Sequence, residues 1–81
     1  MGEVVRVGQY IIRVYSNENR HIYDPHVHVI WADGEAKVRL APLEIDRASG
    51  DTAGKTAEIK ELVRKYLTAS WKEWQRCHGN R

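Results

Sequence analysis

The sequence predicts an α+β fold: a three- or four-stranded antiparallel β-meander with one long C-terminal helix packed across a single face. Three observations predict it. Residues 26–41 alternate apolar and polar side chains on both sides of an Asp33-Gly34 pair, which is a hairpin signal. Short β-prone runs precede that hairpin from Val4 onward. From Ile59 to Cys77 the apolar period changes from two to about 3.6, as in an amphipathic helix.

The first strand spans about 4–15, with a bend or bulge at Gly8-Gln9, where a glycine interrupts a β-prone run. Tyr10, Ile12 and Val14 alternate toward the core. Ile11, Arg13 and Tyr15 take the other face, because Arg13 belongs in water. Ser16 to Asp24 is polar and turn-rich and reads as a loop. Pro25 lacks an N–H and fits just before a strand.

The second and third strands span about 26–32 and 35–41. With Asp33-Gly34 as a type I′ corner, Trp31 faces Ala36, Val29 faces Val38 and Val27 faces Leu40, all on one apolar face. The opposite face then holds Ile30 across from Lys37, His28 across from Arg39 and His26 across from Ala41. A one-residue slip would invert both faces, so this register is well specified. On this reading Val27, Val29, Val38 and Leu40 are buried with Ile59, Leu62, Val63 and Tyr66, and both histidines are solvent-facing.

Pro42 interrupts the ladder, 43–45 forms a short edge strand, and 46–51 is a loop. The helix spans about 53–77, with Thr52 as N-cap and Gly79 as the stop. Lys55 stands where a capping box would place Glu or Gln, and Gly54 weakens the first turn. Ile59, Leu62, Val63, Tyr66, Leu67, Ser70, Trp74 and Cys77 share one arc. A helix of about 25 residues reaches ~37 Å, enough to cross the sheet.

A chain of 81 residues implies one domain, 1–81, burying only roughly 60% of its unfolded surface. Phe is absent, and three Trp and four Tyr supply the aromatic bulk. A net charge of +2 with 30% charged residues is too mild to imply nucleic acid by itself. A single cysteine, Cys77, excludes an internal disulfide and fits a reducing, cytoplasmic setting. No apolar run approaches the ~18 residues of a membrane span, and the first residues lack a signal peptide's order. The Met1-Gly2 start carries Arg6 where a myristoylation site wants Ser or Thr.

Several blocks together carry a family resemblance: Val4-Val5-Arg6-Val7-Gly8, Tyr15-Ser16-Asn17-Glu18, Asp24-Pro25-His26-Val27-His28-Val29, Gly34-Glu35-Ala36-Lys37-Val38, then Glu58-Ile59, Leu62-Val63 and Trp71. In that order they resemble the bacterial family called domain of unknown function 4160, over nearly the whole chain. Pro-His-Val-His-Val followed by Gly-Glu-Ala-Lys is the most specific part. Asp24 stands where the family usually has a second proline, and Trp74 with a longer tail replaces the family's aromatic helix end. The resemblance implies a small β-meander with a C-terminal helix. It also implies a gene often found beside another small protein of unknown function, which suggests a toxin–antitoxin pair.

The candidate site is the face opposite the helix. His26 and His28, at i and i+2, share it and could ligate one zinc if His21 or Asp24 supplied a third ligand. The leading expectation is no metal and no cofactor. The same histidines with Arg39, Lys37, Arg13 and Tyr15 could instead hold an anion or the carboxylates of a partner, and the plain alternative is a solvated sheet face. The functional expectation is a small interaction protein that binds a protein partner or an anionic ligand. The alternative is a small hydrolase or nuclease acting on RNA or a phosphorylated ligand, with His26 and His28 as acid and base. No Walker loop, nucleophile elbow or zinc-protease motif supports an enzyme. Trp31, Trp71, Trp74 and Tyr66 fit packing better than a base-stacking platform. The basic tail of Lys72, Arg76, His78 and Arg81 suits a helix C-terminus. Cys77 on the apolar arc reads as a small buried hydrophobe.

Overall fold

In a computed structural model, which describes residues 2–14, 25–50, 52 and 54–76, five antiparallel strands lie in sequence order. They are β1 (Gly2–Val7), β2 (Tyr10–Val14), β3 (His26–Trp31), β4 (Gly34–Leu40) and β5 (Leu43–Gly50). Helices α1 (Thr56–Lys65) and α2 (Leu67–Trp74) follow. The fold is α+β, as the alternation and the helical period predict, with one strand more than the upper expectation and two short helices in place of one long one.

The extra strand comes from Gly8-Gln9. Gly8 has φ 57°, which a residue without Cβ adopts at little cost, and the chain reverses there into a β1–β2 hairpin. The expected bend within one strand is therefore a full turn. β5 is also longer than the expected 43–45. It continues through Asp46–Gly50 because β4 offers a full set of partners, from Leu40↔Leu43 to Gly34↔Gly50. Its residues read as loop because most of them are exposed on this edge strand, so no apolar alternation marks it.

The β3–β4 corner also differs from expectation. Trp31 pairs with Gly34, Val29 with Ala36 and Val27 with Val38, so Ala32 and Asp33 form the turn. The pairing lies two residues from the predicted one. A shift of two keeps every side chain on its predicted face. No described non-glycine residue has positive φ, and neither does Gly34, so the turn is not type I′. Gly34 is needed for space instead. A Cβ there would stand 2.5 Å from both the Ser49 carbonyl oxygen and Cζ2 of Trp31.

The predicted apolar face is the core. Tyr10, Ile12, Val14, Val27, Val29, Trp31, Ala36, Val38 and Leu40 are buried against Ile59, Val63 and Trp74. Leu62, Tyr66, Leu67 and Trp71 pack on it, partly buried. The aromatic residues considered as a stacking platform are therefore packing groups. At one end the Tyr10 ring meets Trp31 edge-on at 5.9 Å, and its hydroxyl donates to Glu58 Oε1 at 2.8 Å. At the other end the Glu73 carboxylate occupies the space a side chain on Gly2 would need. The helical layer thus crosses the sheet from the Tyr10 end to the Gly2 end.

The break between helices lies at Tyr66, whose φ −106° and ψ 28° are not helical. Ser70 is buried, and its hydroxyl donates to the Tyr66 carbonyl oxygen at 2.9 Å. Serine bonding back to position i−4 bends helices. The helix also starts later than predicted. Lys55 is the N-cap, without a side-chain cap, while the Thr52 carbonyl accepts from the Lys55 N–H at 3.1 Å. Gly54, with φ 68°, precedes the helix instead of weakening its first turn. The expected end at 77, Cys77 itself and the Gly79 stop lie outside the described residues.

Two predictions follow from this packing. Gly34→Ala lowers stability by about 1–3 kcal/mol through overpacking against a backbone oxygen and an indole. Gly8→Ala, whose Cβ meets nothing within 4 Å, is penalised only by its positive φ. Urea unfolding of the two variants ranks them, and equal losses would remove the steric account of Gly34.

The second prediction concerns Tyr10. Burial, reinforced by the hydrogen bond to Glu58 and its negative charge, pushes the phenol from 10.0 up to about 12. The native state holds that proton more tightly than the unfolded chain. Its stabilising effect is therefore complete below pH 10.0 and is lost as pH rises toward about 12. Melting temperatures through that window should fall more steeply for the native sequence than for Tyr10→Phe.

Candidate functional site

The face opposite the core is built by cross-strand pairing. Glu3 pairs with Arg13, Arg13 with His28, His28 with Lys37 and Lys37 with Arg47. The four basic residues thus stand side by side on four neighbouring strands. At ~4.8 Å per strand the row reaches about 14 Å across the sheet. A second row places His26 beside Arg39 and Arg39 beside Glu44. A third runs Ile11, Ile30, Glu35, Ser49.

Glu35 and Asp46 reach the basic row from beside it. His28 Nδ1 lies 3.0 Å from Glu35 Oε2. A carboxylate oxygen only accepts, so Nδ1 carries the hydrogen and Nε2 is the acceptor of the neutral ring. Lys37 Nζ lies 3.4 Å from Asp46 Oδ2. Asp46 reaches it because the β4–β5 register shifts between Lys37 and Val38, leaving Asp46 as the extra residue of a bulge. His28 and Lys37 have side chains only 12% and 10% exposed, whereas Glu35 is 45% exposed.

These groups converge on a cleft of about 330 Å³ lined by His28, Glu35, Lys37, Arg47, Ala48 and Ser49. A larger crevice of about 510 Å³ lies between the β1–β2 turn and α1, where Tyr10 and Glu58 bond each other. The smaller cleft is the better candidate because three basic side chains meet there, whereas among the described residues Lys65 alone brings a base to the larger one.

The structure redistributes the predicted site residues. His26, Arg39, His28, Lys37 and Arg13 share one face as expected, but His26 is not solvent-facing. It is only 1% exposed, with its ring 5.3 Å from Trp74 and 5.1 Å, edge-on, from His28. The period-two pattern puts it on the polar face, and α2 closes over that end of the strand. The expected exposure of His28 is corrected too, since neighbouring strands enclose most of its ring. The Nε atoms of Arg13 and Arg39 are buried. Tyr15 and His21 lie outside the described residues. Among the described residues, no group of three or more His, Cys, Asp or Glu side chains is placed to hold a metal ion.

Sequence reasoning missed Glu35, Asp46 and Arg47. A type I′ corner at Asp33-Gly34 puts Glu35 opposite Ala32, away from His28. In the observed register it faces Ile30, one diagonal step from His28. Asp46 and Arg47 lay in a segment read as loop, and a charged pair beside a strand gives no signal of a bulge.

His26→Ala therefore removes a buried ring and should cost about 2–3 kcal/mol, as a large-to-small core change does. His28→Ala should cost about 1 kcal/mol or less. Chemical denaturation decides this, and equal effects would contradict the burial of His26.

Among the described residues no helix is long and apolar enough to cross a membrane. No curated protein and no solved structure gives a significant match to the chain. A family model does, over residues 10–75, which run from the start of β2 past the end of α2 and include His28, Lys37 and Arg47. The chain therefore belongs to DUF4160, the family described as a domain of unknown function, as its Pro-His-Val-His-Val and Gly-Glu-Ala-Lys blocks imply.

Proposed function

We propose that this chain is a small interaction protein that captures an anionic group of a partner at the cleft around His28, Lys37 and Arg47. The observation that carries the reading is the row of four basic residues on adjacent strands. Lys37 and Arg47 stand directly opposite each other, and like charges so placed destabilise a sheet, so this part of the row is costly as mere surface. An anion entering it relieves that repulsion and gains charge-assisted hydrogen bonds. Asp46 already places one carboxylate on Lys37, so a carboxylate or phosphate oxygen of a ligand suits the same position.

A toxin–antitoxin pair in a cytoplasmic setting would supply such a partner, and the product of the adjacent gene is the first one to try. In this reading Lys37 and Arg47 give the attraction, and Arg13 and Arg39 extend the positive field along and beside the row. His26 serves the fold.

Pyrophosphate is a compact probe of this site. Titrated at low ionic strength, it should perturb the NMR signals of His28, Lys37 and Arg47. Lys37→Ala and Arg47→Ala should each weaken it several-fold, and added salt should weaken it further. The same two variants should reduce co-purification of the neighbouring gene's product. Binding of pyrophosphate and of that protein unchanged by both substitutions would refute the assignment.

A further inference from the structure

Resting on that anion-binding reading, we propose that the cleft is also a catalytic site, cleaving single-stranded RNA by internal transesterification with His28 as general base. The cleft holds the groups this reaction requires. Glu35 accepts from Nδ1–H at 3.0 Å, which fixes the ring's tautomer and leaves Nε2 as the basic nitrogen. Lys37 faces His28 across the ladder, and Arg47 faces Lys37. Two cations therefore stand beside the base, where charge develops on a phosphate under attack.

The substrate class follows from what the cleft supplies. A base with cations serves best a substrate that brings its own nucleophile, and the ribose 2′-hydroxyl beside a phosphodiester is one. His28 Nε2 takes the 2′-hydroxyl proton as O2′ bonds to phosphorus. The P–O5′ bond breaks with its electron pair, and the departing O5′ takes a proton from water. His28 returns its proton to solvent. The products are a 2′,3′-cyclic phosphate and a 5′-hydroxyl, and no oxidant, reductant or further reactant enters. The row fits a chain of phosphates better than a single one. Basic residues continue from Arg47 to Arg13 over about 14 Å, more than one phosphate covers. His26, buried against Trp74, plays no part in the chemistry. Glu35 is a positioning residue, acting through His28.

The test uses the full chain, a short single-stranded RNA, and its 2′-O-methyl counterpart, which binds but cannot react. The expected result is cyclic-phosphate product from the RNA and none from the counterpart. His28→Ala should lower kcat about a hundredfold or more with little change in affinity for the 2′-O-methyl strand. Added imidazole should restore part of that rate. Glu35→Ala should lower kcat and Glu35→Asp recover part of it, while Lys37→Ala should lower kcat and also weaken binding of the 2′-O-methyl strand. Binding of the 2′-O-methyl strand without cleavage of the RNA would overturn the catalytic inference and leave the anion-binding reading standing. Cleavage undiminished in His28→Ala would also overturn it, as a contaminant's activity. If neither pyrophosphate nor the 2′-O-methyl strand binds, both readings fail.

Discussion

The structure depends on the parity of its strands. Val27, Val29, Val38 and Leu40 are buried under Ile59 and Val63, so β3 and β4 cannot slip by one residue without exposing four apolar side chains. Fully burying a side chain of this size stabilises the fold by roughly 1.5–3 kcal/mol, so a one-residue slip would remove most of a small domain's stability. The same parity sends His26, His28, Lys37 and Arg39 to the opposite face. The basic rows are thus a consequence of the core. Each residue that the valines fix inward fixes its charged neighbour outward.

Parity constrains register only modulo two, and this divides what was legible from what was not. The apolar face, the basic face and the helical stripe from Ile59 to Trp74 follow from periodicity, which is a property of single segments. The choice between pairing His28 with Arg39 and pairing it with Lys37 depends on the turn. Asp33-Gly34 is a strong type I′ signal, yet Gly34 serves close approach to Trp31 and Ser49, and the corner moves to Ala32-Asp33. Composition cannot separate a glycine needed for φ from one needed for its missing Cβ. Glu35 was lost to the site for that reason, since only the observed register sets it diagonally from His28.

The other differences have the same origin in contacts between segments. Ser70 was visible on the apolar arc, but its bond to the Tyr66 carbonyl, which ends α1, is a local geometry that periodicity averages over. Alternation puts His26 on the correct face but not in its buried environment, because the pattern of a strand says nothing about Trp74 of α2 packing on its end. β5 outruns the expected 43–45 because an edge strand with most of its residues in solvent has no reason to alternate.

The basic row also bears on how stability and function divide within so small a molecule. Lys37 and Arg47 repel each other across the strands, and carboxylates answer the row from different places, Glu3 from directly opposite Arg13. Glu35 comes from the neighbouring row, and Asp46 comes from a bulge in the edge strand. Glu35 and Asp46 sit beside the row and are more exposed than the bases they contact. Exposed carboxylates are solvated and cost little to displace, whereas His28 and Lys37 are held in place by the strands around them. Of the two acids, Asp46 is the one whose displacement from Lys37 would leave the Glu35 contact that orients His28 undisturbed.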